Sequence, residues 1–249
     1  MVMLNKLTDR VEIPRKMCPV IFLLDTSGSM DGAPIGAVNA AIESVLPELI
    51  SMNDSNPDNE IKVAIMTFDF DANWKYGGDE LLLPEDIQNS WNDLDANGPT
   101  SMGAAFHELN EKLSISHGFM QHASGSVAPV LFLLSDGAPT DDYMAGLQKL
   151  KNNNWYKVAV RVAVGYGKSN DDVLRDFTMN SETVIHTENP SELKNMIKFI
   201  AVTSSRVASQ GNGVSTEGEN INPDDNTGKV ATVIGGQGGS LNASAEEQW

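Results

Sequence analysis

Val20-Ile21-Phe22-Leu23-Leu24-Asp25-Thr26-Ser27-Gly28-Ser29-Met30 is an apolar run that ends in small polar residues. A short run of this kind, bounded by turn residues, reads as a strand buried on both faces of a parallel sheet. The polar tail then falls at the strand's carboxyl end, the edge on which open α/β sheets bind ligands. Asp25, Ser27 and Ser29 alternate along the chain, and Gly28 lets the backbone turn between the two serines. Their oxygens can converge on one point. Carboxylate and hydroxyl oxygens together suit a hard divalent cation rather than zinc or copper.

Outward from this stretch, helical and strand patterns alternate. Pro34 suits the first turn of a helix, and Ile35, Val38, Ile42, Val45, Leu46 and Leu49 follow at helical spacing. Pro47 lies inside that pattern and is expected to kink it. Ile61 to Phe68, with β-branched Val63, Ile65 and Thr67, predicts a strand, and Trp74 and Tyr76 a returning antiparallel edge strand. Leu81 to Leu83 reads as a short extended piece, and Gly103 to Leu113 as a helix. Val130-Leu131-Phe132-Leu133-Leu134-Ser135-Asp136 repeats the opening pattern as a second buried strand. Met144, Leu147 and Leu150 mark a helix, Lys157 to Val164 a strand, and Val173 to Phe177 a short helix. Thr183 to His186 reads as an edge strand, and Leu193, Met196, Ile197 and Ile200 as the last helix.

Such alternation predicts an α/β, doubly wound, mostly parallel sheet with one antiparallel edge strand and helices on both faces. The domain is placed at residues 14–204. Its lead-in before Val20, with Pro14 and Pro19, reads as an extended arm over the sheet. From Ser205 onward Gly, Ser, Asn and Gln dominate, so residues 205–249 read as a low-complexity tail, either disordered or docking a partner. Val230-Ala231-Thr232-Val233-Ile234 interrupts the tail as a candidate strand for an exposed sheet edge, with Trp249 a candidate anchor.

The formal net charge is −17, from 34 acidic and 17 basic residues. A surface of that sign argues against nucleic acid and anionic membranes as partners and favours cations or basic proteins. Cys18 is the only cysteine, which excludes an intrachain disulfide and a thiolate zinc cluster. The first residues lack the apolar core of a signal peptide, and no run approaches the ~20 apolar residues of a membrane span. A cytoplasmic location is the expectation.

Asp-x-Ser-x-Ser after a hydrophobic strand resembles the metal-ion-dependent adhesion site of von Willebrand factor A (vWA) domains, a Rossmann-like family. That pattern adds a threonine in a later loop and an aspartate after a later strand. Thr100, in Asn97-Gly98-Pro99-Thr100-Ser101-Met102-Gly103, and Asp136 match both in order. The resemblance implies that Asp25, Ser27, Ser29, Thr100 and Asp136 hold the metal, directly or through water. Mg²⁺ is the first choice, with Mn²⁺ or Ca²⁺ able to substitute. Two carboxylates balance the charge of a divalent ion while neutral hydroxyls keep it underneutralised, and an open coordination position would attract an acidic residue of a protein partner. The plainer account makes Asp25 and Ser27 helix-cap residues and Asp136 a turn residue.

The phrase Asp136-Gly137-Ala138-Pro139-Thr140-Asp141-Asp142, with Thr67-Phe68-Asp69 and the opening stretch, is similar to TerY-like proteins. These are bacterial stand-alone vWA proteins of tellurium-resistance and stress-response operons, grouped with kinase- and phosphatase-type partners. The similarity spans most of residues 17–203. It implies an interaction module for stress response, signalling or defence, and not an enzyme. Two other functions stay open: a metal-dependent phosphohydrolase, and a vWA regulator of an AAA+ ATPase.

Other motifs are weaker. Asp69-Phe70-Asp71-Ala72-Asn73 with Glu80 partly resembles a calcium loop, but Trp74 stands where that loop needs glycine. Asp25-Thr26-Ser27 lacks the glycine of aspartic proteases. Ser27 also breaks the Asp-x-Asp of haloacid-dehalogenase phosphatases. His117 and His122 share a loop that reads as solvated, with no carboxylate cluster nearby.

Overall fold

The computed structural model describes residues 15–121, 125–210 and 227–233. The first strand, β1, is Lys16–Asp25, followed by α1 (Ala33–Ser55), β2 (Asn59–Phe68) and β3 (Ala72–Tyr76). Next come α2 (Pro84–Ser90), α3 (Met102–Lys112), β4 (Val130–Ser135), α4 (Tyr143–Asn152) and α5 (Asn154–Val158). The last elements of the domain are β5 (Val160–Tyr166), α6 (Asp171–Thr178), β6 (Val184–Thr187) and α7 (Pro190–Gln210). One six-stranded sheet runs in the order β3-β2-β1-β4-β5-β6. Every pairing is parallel except β2–β3, the antiparallel edge expected from Trp74 and Tyr76.

The apolar runs are continuous because both faces of the sheet are covered. Val20, Phe22 and Leu24 of β1 join Val130, Phe132 and Leu134 of β4 in a core with Val38, Ile42 and Leu49 of α1 and Ile197 of α7. The alternate residues, Ile21, Leu23, Leu131 and Leu133, face a second core with Phe106 of α3, Leu147 of α4 and Phe177 of α6. Period-two alternation thus sends successive side chains into opposite layers. On the second face Arg161 is buried. Its guanidinium donates to the carbonyls of Thr178 (3.0 Å) and Lys157 (3.1 Å) and lies over the Tyr156 ring.

The described part of the lead-in is not an arm. Lys16 to Pro19 belong to β1 and pair with Asn59 to Lys62. A proline in a central strand is tolerated because the β1–β4 ladder starts only at Val20 and Val130. Backbone alternation puts the Pro19 nitrogen on the edge where the Met17 carbonyl accepts the Val127 N–H, a stretch where no strand yet lies alongside. α1 runs through Pro47 to Ser55, so the proline removes one ladder bond without ending the helix. The strand expected from Lys157 begins at Val160 instead. Asn153 caps the preceding turn by accepting from the Trp155 and Tyr156 N–H groups at 2.9 and 3.4 Å, which makes Asn154–Val158 helical. Leu82 forms the expected extended contact, exchanging bonds of 2.7 and 3.0 Å with Val63.

The boundary drawn at residue 204 falls inside α7, where Ser205 and Ala208 are buried. Residues 227–233 form a helix, not the strand read from Val230 onward. Val230 and Ala231 are buried, and the Thr227 hydroxyl donates to the Ala159 carbonyl at 3.2 Å, so this segment packs on the domain. Pairing at i and i+1 of buried residues followed by exposed Val233 fits a short docked helix as well as a strand, and tertiary contact decides. Pro14, His122, Ile234 and Trp249 lie outside the described residues. One described helix, Ala33–Ser55, is long and apolar enough to cross a membrane by length and composition, with mean hydropathy 1.3. Here its apolar face is spent on the sheet and α7.

Two outcomes follow from this packing. Gly146 of α4 sits so close to α3 that an added Cβ would lie 2.8 Å from the Gly103 carbonyl. Gly146→Ala should therefore lower stability by about 1–3 kcal/mol in a denaturant titration, despite alanine's better helix propensity. The Cys18 thiol is wholly buried, which pushes its pKa up to about 12. It should resist thiol reagents in the native protein and react on unfolding. Because an unfolded cysteine ionises near ~8.5, its contribution to stability is intact below that pH and declines as pH rises toward the folded value.

Candidate metal centre

The crevice forms where the sheet changes direction. β2 lies on one side of β1 and β4 on the other, so the loops after β1 and β4 diverge and leave a gap at their carboxyl ends. Leu24 pairs with Leu134 in parallel register, which sets Asp25 beside Ser135 rather than beside Asp136. Asp25 is fully buried. Its Oδ1 accepts the Ser27 N–H at 2.9 Å, and its Oδ2 accepts the Ser135 hydroxyl at 2.6 Å. Both bonds fix the carboxylate plane before any ligand arrives.

After extended Ser27, Gly28–Met30 make one 3-10 turn, and Met30 inserts into the core as its anchor. The turn holds Ser29 Oγ 3.1 Å from Ser27 Oγ, and the Ser29 hydroxyl donates to Asp136 Oδ1 at 2.7 Å. Ser27 and Asp136 are buried and Ser29 is exposed, so the chain of oxygens leads from the core to solvent.

Thr100 is buried on the loop before α3. Its N–H donates to the Thr140 hydroxyl at 3.1 Å and its carbonyl accepts the Thr140 N–H at 2.9 Å. A Cβ added at Gly137 would stand 3.7 Å from Thr100 Oγ1, so this hydroxyl borders the loop of Asp136. Of the five residues singled out in the sequence, Ser27, Ser29 and Asp136 share one chain of hydrogen bonds. Asp25 joins them through the Ser27 backbone and, from the β4 side, through Ser135. The Thr100 hydroxyl, among the described residues, bonds to none of the other four.

Residues that sequence reading passed over hold these loops. Ser135 could have been found by aligning the two strand ends, Leu23-Leu24-Asp25 against Leu133-Leu134-Ser135. Gly98, at φ +80°, accepts the Gly28 N–H at 2.9 Å, and the Asn97 N–H donates to the Thr26 carbonyl at 2.7 Å. The first turn of α3 has no side-chain cap from its own Ser101. Asp141 supplies it from another loop, accepting the N–H groups of Gly103 and Ala104 at 2.8 and 2.9 Å. Nothing local in the sequence signals that cap.

Burial raises the pKa of both site carboxylates above the usual range. Hydrogen bonds from Ser135 and Ser27 oppose this at Asp25, where nearby Asp136 adds a further upward push. At Asp136 the Ser29 hydroxyl opposes it. No Lys or Arg occurs in 26–32, 91–101 or 136–142, the loops that make the site. Two buried carboxylates with no basic side chain beside them among the described residues call for a proton or a cation. Hard, charged and neutral oxygens in one cluster are the donor set of Mg²⁺, Mn²⁺ or Ca²⁺. Among the described residues no group of three or more His, Cys, Asp or Glu could hold a metal, so any such ion would have to use hydroxyls.

The weaker motifs have other roles. Asp69 Oδ1 and Asp71 Oδ1 accept the Phe70 and Ala72 N–H groups at 2.6 and 2.8 Å, which spends them on the β2–β3 turn. A carboxylate does lie by His117: Glu111 is 3.2 Å from its Nε2, an exposed pair at the end of α3.

A family profile described as von Willebrand factor type A domain matches residues 20–199. No curated protein matches the chain. Among solved structures, a von Willebrand factor type A protein from Catenulispora acidiphila superposes with a TM-score of 0.58 at 19% identity, over 76% of this chain and 43% of that one. Proximal thread matrix protein 1 from the mussel byssus, solved with a zinc-occupied metal-ion-dependent adhesion motif, gives 0.60 at 16% identity, over 76% and 48%. The vWF domain of the type V pili tip protein Mfa5 from Porphyromonas gingivalis gives 0.61 at 10% identity, over 82% and 100%. These likenesses show the shared fold. The chain spans less than half the length of the Catenulispora and mussel proteins.

The raised carboxylates fix a sign for metal-free protein. A folded pKa above the unfolded one means that the native state binds more protons, so the two groups cost stability at neutral pH. That cost should shrink as pH falls through the folded pKa values toward ~4, the ordinary range of an unfolded aspartate. Asp25→Asn keeps an acceptor for the Ser27 N–H and removes the buried charge. In EDTA it should melt above wild type at pH 7, with the gap closing on acidification; a lower melting temperature would contradict this electrostatic account.

Proposed function

The chain belongs to the von Willebrand factor type A domain family, and on that premise we propose that it captures a protein partner through a divalent cation held by Asp25, Ser27, Ser29, Thr100 and Asp136. Domains of this family serve metal-dependent protein–protein interaction. The observation that carries the reading here is the linked set of oxygens from Asp25 through Ser27 and Ser29 to Asp136, buried at one end and open to solvent at the other.

Ser27, Ser29 and Thr100 would offer hydroxyl oxygens, and Asp25 and Asp136 would offer carboxylate charge directly or through water. The ion supplies an electropositive point at which an acidic side chain of the partner can bind. The protein's own part is to orient the donors: Ser135 and the Ser27 N–H hold Asp25, and the Thr100–Thr140 pair holds the third loop. Mg²⁺ is the ion proposed first, with Mn²⁺ or Ca²⁺ next. The zinc in the mussel protein's site makes Zn²⁺ a necessary comparison here.

We place the protein among non-enzymatic interaction modules. Ser27 and Ser29 bond to each other and Ser29 bonds to Asp136, and among the described residues no histidine or lysine partners either hydroxyl as a nucleophile would need. The TerY-like phrasing after β4 supports a bacterial stress-response, signalling or defence role with a kinase- or phosphatase-type partner. A cytoplasmic setting is part of the same proposal.

Ion binding is read by thermal denaturation across millimolar Mg²⁺, Mn²⁺, Ca²⁺ and Zn²⁺. A ligand bound only by the native state stabilises by about 2.7 kcal/mol at a hundredfold excess over its Kd. Wild type should gain melting temperature with Mg²⁺ and Asp25→Ala should not. Identical melting of the two proteins would refute the five-residue site. Turnover of generic phosphoesters that depends on Mg²⁺ and is lost in Asp25→Ala would replace the binding reading with hydrolysis.

A further inference from the structure

Phe70 is the most exposed large apolar side chain among the described residues, at 69%. A lone exposed aromatic needs no explanation. The setting of this one does. The Ser101 N–H donates to the Asp69 carbonyl at 3.0 Å, and the Ser101 hydroxyl donates to the Phe70 carbonyl at 3.0 Å. The Asp69 carboxylate accepts the Phe70 N–H. These bonds hold the backbone on both sides of the ring. The ring rests on Gly98, where an added Cβ would lie 2.6 Å from two ring carbons. Gly98 in turn accepts the Gly28 N–H, from the residue between the two site serines. The ring is therefore linked through Gly98 to the residue between Ser27 and Ser29 while remaining largely open to solvent.

The loops around it carry charge of one sign. Asp31, Asp71 and Asp95 are exposed on the three loops that meet at Gly28 and Gly98, with Asp69 partly exposed beside them. The stretches 26–32, 69–71 and 91–101 contain no Lys or Arg. An acidic residue approaching the proposed metal would cross this negative rim. A basic side chain next to it would cancel the repulsion and could lie over the open face of Phe70, where the ring's electron density attracts cations.

Resting on the metal-dependent reading above, the geometry points to a partner segment that presents an acidic side chain flanked by arginine, the acid directed to the metal and the guanidinium stacked on Phe70. Phe70 contacts the partner and selects it, while the metal-holding residues supply the common anchor.

The probes are three synthetic peptides, Ac-Gly-Arg-Asp-Arg-Gly-NH2, Ac-Gly-Ser-Asp-Ser-Gly-NH2 and Ac-Gly-Glu-Asp-Glu-Gly-NH2. Each is titrated into the full chain with saturating Mg²⁺ and followed by NMR chemical-shift changes, which register millimolar binding. The arginine peptide should bind at least about fivefold more tightly than the serine peptide, and the glutamate peptide most weakly. Phe70→Leu should lose most of the arginine preference, and Phe70→Trp should keep or increase it. Both changes are at the surface and should leave the Mg²⁺-dependent melting shift intact. Equal binding of the arginine and serine peptides, no binding of the arginine peptide, or an arginine preference unaltered in Phe70→Leu would each overturn the assignment while that melting shift stands. Loss of the shift in wild type would instead remove the metal reading, and this one with it.

Discussion

Two carboxylates buried side by side, with no basic side chain among them in the described residues, set the terms for the rest of this molecule. Such a pair is unfavourable in a protein interior, because each charge loses its water and repels the other. The fold tolerates it only where rigid donors surround the oxygens. Ser135, the Ser27 N–H and the Ser29 hydroxyl fill that role, and none can move far. They lie at strand ends clamped by six-stranded pairing and by two apolar layers. Stability is thus concentrated in the sheet and the helices, and a local excess of negative charge is carried at its carboxyl edge.

The layer packing explains why that edge stays open. β1 and β4 are neighbours in space but far apart in sequence, and their following segments depart to opposite faces, toward α1 and α4. Among the described residues no connection crosses the gap between them. Meanwhile the α3 loop is drawn in from the second face by bonds to Thr140, Asp141 and Gly28. Three loops that leave the sheet at different points are held as one surface, which is what a ligand touching several of them needs.

Much of this could be read from the chain. The apolar runs ending in Asp25 and in Ser135-Asp136 identify the two central strands because strands buried on both faces have no polar positions to blur them. Trp74 and Tyr76 mark an edge strand through their size and alternation. Pairings remote in sequence were the part that could not be read. Pro19 looks like a strand breaker until the late start of β4 is known. Asp141 looks like a turn residue until α3 is placed against it. Residues 227–233 have a composition that fits strand or helix, and in the folded chain they are helical, with Thr227 bonded to the Ala159 carbonyl. Local pattern specifies elements, while loop-to-loop bonds that position the site belong to the assembled sheet.

The bond from Ser29 to Asp136 joins positions 107 residues apart. Ribosomes deliver a chain from its amino end, at about 5–20 residues per second. Asp25 and both serines therefore emerge seconds before the aspartate that completes their cluster. Until β4 inserts beside β1, the half-site has no second carboxylate and no partner for Asp25 Oδ2. A growing chain therefore lacks the complete oxygen cluster until four of the six strands, β1 to β4, have left the tunnel.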